Sequence, residues 1–214
     1  MRIISLHQVV PQVFADREDM NSQIWHTEVD FEKGNTYLVE AESGMGKSTF
    51  CSYLLGYRHD YSGQIFFDQD DVRRYKISQW VTVRQQHIGM LFQEMRLFPE
   101  LTALENVQIK NRLTSTVSKA TIEEWFNKLG IAEKLHQKAG LLSQGQQQRV
   151  AFMRSLAQPF DFLVVDEPIS HLDDVNAQLM ADMVMQVKES TQCGVIVTSI
   201  GKHLPLTYDY TLKL

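Results

Sequence analysis

The apolar positions of the chain change rhythm along its length. In TEVDFEKGNTYLVEA, Val29 and Phe31 alternate with polar neighbours, and the more continuous run YLVEA follows a turn at Gly34 and Asn35. This pattern predicts two strands around a turn. After Gly44-Met45-Gly46-Lys47, residues Phe50, Tyr53, Leu54 and Tyr57 recur at helical spacing, so the order is strand, glycine loop, helix. SGQIFFD and HIGMLF read as further strands. From Arg96 to about Leu156 the rhythm is helical, in LTALENVQIKNRL, KATIEEWFNKLGI and SQGQQQRVAFMRSLA. FDFLVVDEP is a continuous apolar run that ends in acids, as expected of a strand covered on both faces in a parallel sheet. GVIVTS is a second such run, and YDYTLKL supplies a last strand. The pattern predicts an α/β core with a helical lobe inserted over about residues 94–156, all within one domain spanning 1–214.

Composition narrows this picture only a little. A chain of 214 residues, 43% hydrophobic and 22% charged, suits one globular domain with a full core. Its net charge of −5 argues against a broad nucleic-acid footprint, and no nucleic-acid partner is expected. No apolar run nears the roughly 20 residues of a membrane-spanning helix, and MRIISLHQVVPQVF is too short and too mixed for a secretory signal. The expected location is the cytoplasm, or a membrane face reached through a partner. Cys51 and Cys193 lack metal-ligand spacing and read as reduced, partly buried thiols.

The stretch EAESGMGKST carries the first chemistry. The pattern G-x-x-x-x-G-K-[ST] makes a loop whose backbone N–H groups face phosphate oxygens, with lysine reaching the β/γ-phosphates and the hydroxyl binding Mg²⁺. Gly46, Lys47 and Ser48 fill the last three places, and Gly44 adds a second flexible point. Ser43, Met45 and Thr49 complete the candidate nucleotide-binding set, and the helix that follows turns its N-terminus to the anion. Ala41 replaces the first glycine. If that place needs positive φ, alanine costs roughly 1–2 kcal/mol; if φ is negative, it costs almost nothing. Asp166 and Glu167 end the apolar strand FLVVDEP. An aspartate there can hold Mg²⁺ through water, and the next glutamate can orient the attacking water in phosphoryl transfer.

Downstream, Leu142-Ser143-Gln144-Gly145-Gln146 is similar to the L-S-G-G-Q signature of ATP-binding cassette (ABC) ATPases, departing only at Gln144. Arg149, Asp166-Glu167-Pro168 and Ser170-His171-Leu172-Asp173 follow in that family's order, the last resembling its D-loop. Leu91-Phe92-Gln93 resembles its Q-loop, and RLFPELTALENV the segment after it. The resemblance covers nearly the whole chain. It implies a P-loop NTPase core with a small antiparallel β lobe and an inserted helical lobe. It also implies an ATPase that takes ATP and Mg²⁺. Ser143, Gly145 and Gln146 would close over the γ-phosphate held by another subunit in a head-to-tail dimer, either a homodimer or a heterodimer with a related cassette. Gln93 would contact Mg²⁺ or the attacking water, so that Ser48, Gln93 and Asp166 form the metal set. Adenine in this family stacks on an aromatic residue upstream of the loop, and Phe14 or, second, Trp25 is placed for this.

The pattern breaks at VIVTS, where Ser199 stands in the place of the family's usual histidine. Serine keeps a hydroxyl but loses reach and charge, so Ser199 joins Glu167 and Gln93 as a catalytic candidate in a slow or atypical ATPase. His203 is the nearest replacement. The leading reading is the ATPase subunit of a transporter whose permease is a separate chain, docking around Phe98, Leu101 and Leu104. LFPELTALENV looks most like cassettes of lipoprotein-releasing, macrolide-export and cell-division systems. A soluble repair or translation protein is a second class, but the interval from Lys47 to Ser143 holds no long heptad run. A nucleotide sensor that binds but barely hydrolyses is a third, motivated by Ala41 and Ser199.

Overall fold

A computed structural model describes residues 1–17, 21–169 and 172–214. The elements follow in chain order as β1 (Ile3–Pro11), β2 (Glu28–Glu32), β3 (Thr36–Glu40), α1 (Lys47–Leu54), β4 (Tyr61–Phe67), β5 (Asp70–Asp71), α2 (Ile77–Thr82), β6 (Ile88–Leu91), α3 (Ala103–Thr114), α4 (Lys119–Lys128), α5 (Gln144–Leu156), β7 (Phe162–Asp166), α6 (Asp174–Thr191), β8 (Gly194–Ser199) and β9 (Tyr210–Lys213). Two sheets result. An antiparallel one runs β2-β1-β4-β5, and a parallel one runs β6-β7-β8-β3-β9. β2 and β3, adjacent across Gly34 and Asn35, do not pair with each other but enter different sheets.

The parallel sheet separates two cores because strand side chains alternate between faces. Tyr37, Val39, Phe162, Val164 and Ile196 join a cluster shared with α1 and the antiparallel sheet. Leu38, Leu163, Val165, Val195 and Val197 join a second cluster with α3, α4, α5 and α6. Every residue of β7 and β8 is buried, as the continuous apolar runs predict. The helices α3, α4 and α5 begin on Thr102, Ser118 and Ser143, whose hydroxyls each accept an amide three residues on.

β1, β5, α2 and α6 have no counterpart among the elements that the sequence pattern predicts. β1 carries the centre of the antiparallel sheet. In α6 the buried face is Ala177, Met180, Ala181, Met183 and Val184, a helical stripe of modest hydrophobicity. Helix α1 stops at Leu54, so Tyr57 is not on its face but 52% exposed. The stop is Gly56, whose φ of +64° suits glycine, and a Cβ there would lie 2.3 Å from the Trp80 ring. Replacing Gly56 with alanine combines backbone strain with overpacking and is expected to cost about 3 kcal/mol. Calorimetry is expected to show Tm lowered by roughly 6–12 °C; an unchanged Tm contradicts the packing of this turn.

Asp161, just before β7, ties distant segments together. Its carboxylate accepts from the Met1 ammonium at 2.8 Å, Lys33 Nζ at 2.7 Å and His87 Nδ1 at 2.6 Å. Burial opposes its ionisation, but these hydrogen bonds outweigh that and draw its pKa down to about 2. A depressed carboxylate pKa stabilises the fold above the unfolded value of about 4 and loses that contribution as pH falls through 2. The contribution is on the order of 2 kcal/mol. Denaturant titrations at pH 7 and pH 2.5 are expected to show this loss in the wild type and a smaller one in Asp161→Asn.

Candidate functional site

The candidate residues converge because they sit at the carboxyl ends of neighbouring parallel strands, where open α/β sheets gather their ligands. The glycine loop follows β3, Gln93 follows β6, Asp166 ends β7 with Glu167 next, and Ser199 ends β8 with Ile200 next. A cleft of about 350 Å³ opens there, lined by Val13, Phe14, Ser43, Gly44, Gly46, Lys47, Ser48, Thr49, Gln93, Glu167 and Ile200.

The loop is shaped by two left-handed glycines, Gly44 at φ +84° and Gly46 at φ +96°. Gly46 is also the N-cap of α1, so the helix's unsatisfied N–H groups lie at the base of the cleft. A Cβ on Gly46 would meet Phe14 Cε2 at 3.0 Å and Trp25 Cζ2 at 3.4 Å. Ala41 is absent from the positive-φ residues, and its N–H donates to the Ser199 carbonyl at 3.1 Å. Of the two cases open in the sequence, the unstrained one holds, and alanine costs the loop nothing in backbone conformation.

Lys47 is 5% exposed. Its Nζ donates to the Glu42 carbonyl at 3.3 Å and lies 3.5 Å from Glu167 Oε1. Gln93 Nε2 donates to the other oxygen, Glu167 Oε2, at 2.9 Å. The Glu167 carboxylate is thus shared between a cation and an amide from two other loops. Its backbone is left-handed at φ 45°, and its N–H donates to the Thr198 carbonyl at 3.1 Å. A non-glycine residue in that region is strained, and such strain concentrates at functional positions. Asp166, 4% exposed, lies behind it and accepts from the Thr198 hydroxyl. Burial pushes its pKa above the usual carboxylate value, with Glu167 adding to this and the Thr198 bond and Lys47 opposing it.

Several candidates stand elsewhere. Ser199 is fully buried and its hydroxyl donates to the Lys202 carbonyl, so it does not line the cleft. The strand carries it inward, and the next residue, Ile200, 47% exposed, faces the cleft instead. His203 bonds the Leu204 carbonyl and packs edge-on against Tyr208, away from the lining residues. Trp25 is 1% exposed and belongs to the core; its Nε1 donates to the Met45 carbonyl at 3.2 Å, which buttresses the loop. Phe14 lines the cleft but is only 4% exposed, with the Arg17 guanidinium 5.1 Å above its ring. Stacking a base on an open face of Phe14 requires Arg17 to leave. Val13, 66% exposed, is the apolar surface at that edge, and nothing in the sequence pattern singled it out.

Ser143, Gly145 and Gln146 are not in the cleft. Ser143 caps α5, accepting from the Gln146 N–H at 3.3 Å, while its own N–H donates to Gln146 Oε1 at 3.0 Å. Arg149 binds this end of α5 to α6, donating to the Gly145 carbonyl at 3.1 Å and to Asn176 Oδ1 at 2.8 Å. Ser170 and His171, two of the four D-loop residues, lie outside the described residues. Leu104 is buried in the second core, so of the expected docking residues Phe98, 51% exposed, is the one that faces outward most. Cys51 and Cys193 are free and buried.

A family model described as "ABC transporter" matches residues 25–170. An uncharacterized ABC transporter ATP-binding protein of Mycobacterium tuberculosis is 31% identical over 181 residues, 83% of this chain and 55% of that protein. The chain thus spans about half the length of that relative. The lipoprotein-releasing system ATP-binding protein of Rhodopseudomonas palustris is 30% identical over 184 residues, covering 85% of this chain and 79% of that one. Among solved structures, a bacterial ABC transporter cassette in dimeric form superposes with a TM-score of 0.76 at 25% identity, over 91% of this chain and 87% of that one.

Proposed function

This chain belongs to the ABC transporter family, and on that premise we propose that it is an ATP-hydrolysing subunit that works on a separate membrane permease. The observation that carries the reading is the meeting of Lys47, Gln93 and Glu167 in one cleft at the end of the glycine loop. The amides of residues 43–49 and the N-terminus of α1 take the phosphates. Lys47, held by Glu167 here, moves its ammonium to the β/γ-phosphates when ATP arrives. That exchange frees a Glu167 oxygen to accept a proton from water as the water oxygen attacks the γ-phosphorus and the bond to the β–γ bridging oxygen breaks.

Mg²⁺ fits the donor set. Ser48 and Gln93 offer neutral oxygens, and Asp166 a carboxylate one shell behind. Among the described residues no group of three or more His, Cys, Asp or Glu could hold a metal. Mg²⁺ takes most of its ligands from phosphate and water in such sites. When bound it neutralises charge on the phosphate oxygens.

Ser143, Gly145 and Gln146 lie at the N-terminus of a 13-residue helix and lie outside the cleft lining. They serve a nucleotide only if a second copy, or a related cassette, presents them. The dimeric form of the similar cassette supports this. Among the described residues no helix is long and apolar enough to cross a membrane. The proposed place of action is the cytoplasmic face of the membrane, on the permease. The domain is proposed to span 1–214, with the lobe at about 94–156 built on α3, α4 and α5. A slow-hydrolysing sensor is the second reading, favoured by Ser199 turning its hydroxyl away from the cleft. Light scattering separates these from a monomeric binder: with Mg-ATP the mass is expected to double, and with Mg-ADP to return. A mass unchanged by ATP overturns the dimer.

A further inference from the structure

We propose that Arg58, which does not itself line the nucleotide cleft, is a positioning residue: it holds the Thr49 hydroxyl so that its proton points at the nucleotide's phosphates. This rests on the reading that the cleft binds ATP, and it extends that site by one residue.

Thr49 lies two residues beyond Lys47 on α1 and lines the cleft. A hydroxyl has one proton to give and two lone pairs with which to accept. In a helix that proton often returns to the carbonyl four residues earlier, as Ser52 does toward Ser48 at 2.6 Å. Among the described residues Thr49 makes no such return bond; its Oγ1 accepts from Arg58 Nη1 at 3.1 Å. The guanidinium occupies one lone pair and thereby sets the rotor, and the proton is left for an acceptor in the cleft. Phosphate oxygens accept and do not donate, so they match it.

The arginine is fixed before any ligand arrives. Its Nε donates to Asp60 Oδ1 at 2.9 Å and its Nη2 to Asp60 Oδ2, a paired fork that leaves Nη1 for Thr49. Asp60 is held from two further sides, because its carbonyl accepts from the Tyr53 hydroxyl at 2.9 Å and from the Gln12 N–H at 2.9 Å. Those bonds already anchor the loop after α1, so the bond to Thr49 is not needed to hold it. Gln12 opens the turn that brings Val13 and Phe14 to the cleft. Arg58 thus reaches Thr49 from the side of Val13 and Phe14, away from Glu167, where the phosphates are those that ATP and ADP share. Arg58 and Asp60 are neutral as a pair, so the contribution is the direction of a hydrogen bond and not net charge. A lysine has no fork with which to hold Asp60 and Thr49 together.

Equilibrium titrations of the full chain with fluorescent analogues of ATP and ADP test this. Arg58→Ala is expected to weaken both about fivefold, and Thr49→Val about tenfold. In a Thr49→Val background Arg58→Ala is expected to cost nothing more, a coupling that a purely structural role does not produce. The loss is expected to persist at high salt, where attraction between exposed charges is screened. Equal losses in both backgrounds, a loss that vanishes at high salt, a loss confined to ATP, or wild-type affinity in Arg58→Ala each overturns the proposal and leaves the cleft reading standing. If the wild type binds neither analogue, the cleft reading falls and the proposal with it.

Discussion

Glu167→Gln is expected to lower ATP turnover by at least about 100-fold while ATP still binds. Glu167 follows β7 directly and is the carboxylate among the residues lining the cleft. Its position is fixed by a strained φ of 45°, by the Gln93 amide at 2.9 Å and by Lys47 at 3.5 Å. Glutamine keeps the shape and can still pair with Gln93, but it cannot accept the water's proton and brings no charge against the γ-phosphate. The ATP-bound dimer should therefore persist, and its lifetime by light scattering should lengthen as turnover falls. Turnover within twofold of wild type means that Glu167 is not the base. A lost turnover without longer dimer life favours the sensor reading.

Lys47→Ala is expected to weaken ATP binding by about 30- to 100-fold. The Nζ group is nearly buried and, among the described residues, makes one carbonyl bond, to Glu42 at 3.3 Å, beside its contact with Glu167. Two or more kcal/mol separates a charge-assisted phosphate contact from none, and 1.4 kcal/mol is tenfold. The substitution also leaves Glu167 facing the phosphates with no cation between them. Equilibrium titration with a fluorescent ATP analogue checks the loss, and unchanged affinity places the phosphates elsewhere.

The phosphate loop, the acids and the strand runs were legible because each depends on local sequence: glycines where φ is positive, and continuous apolar runs where both strand faces are buried. The convergence of Gln93, Lys47 and Glu167 followed from strand order, which no local pattern encodes. The inward orientation of Ser199 is hidden in the sequence for a related reason. Spacing placed it at a strand end, but strand parity turned its side chain inward and left Ile200 at the cleft. Phe14 and Trp25 sit near the loop as expected, yet packing beneath Gly46 buries both. Helix α6 leaves little mark in the pattern because its core face is mostly alanine and methionine, which contrast weakly with polar neighbours.

We propose that this cleft hydrolyses ATP only when a second cassette completes it. Mg-ATP turnover by the purified chain, measured across protein concentrations, tests it most directly. Rate per molecule is predicted to rise with concentration and to vanish in Glu167→Gln. A constant rate per molecule down to the lowest concentration, or no turnover at any concentration with ATP bound, contradicts it.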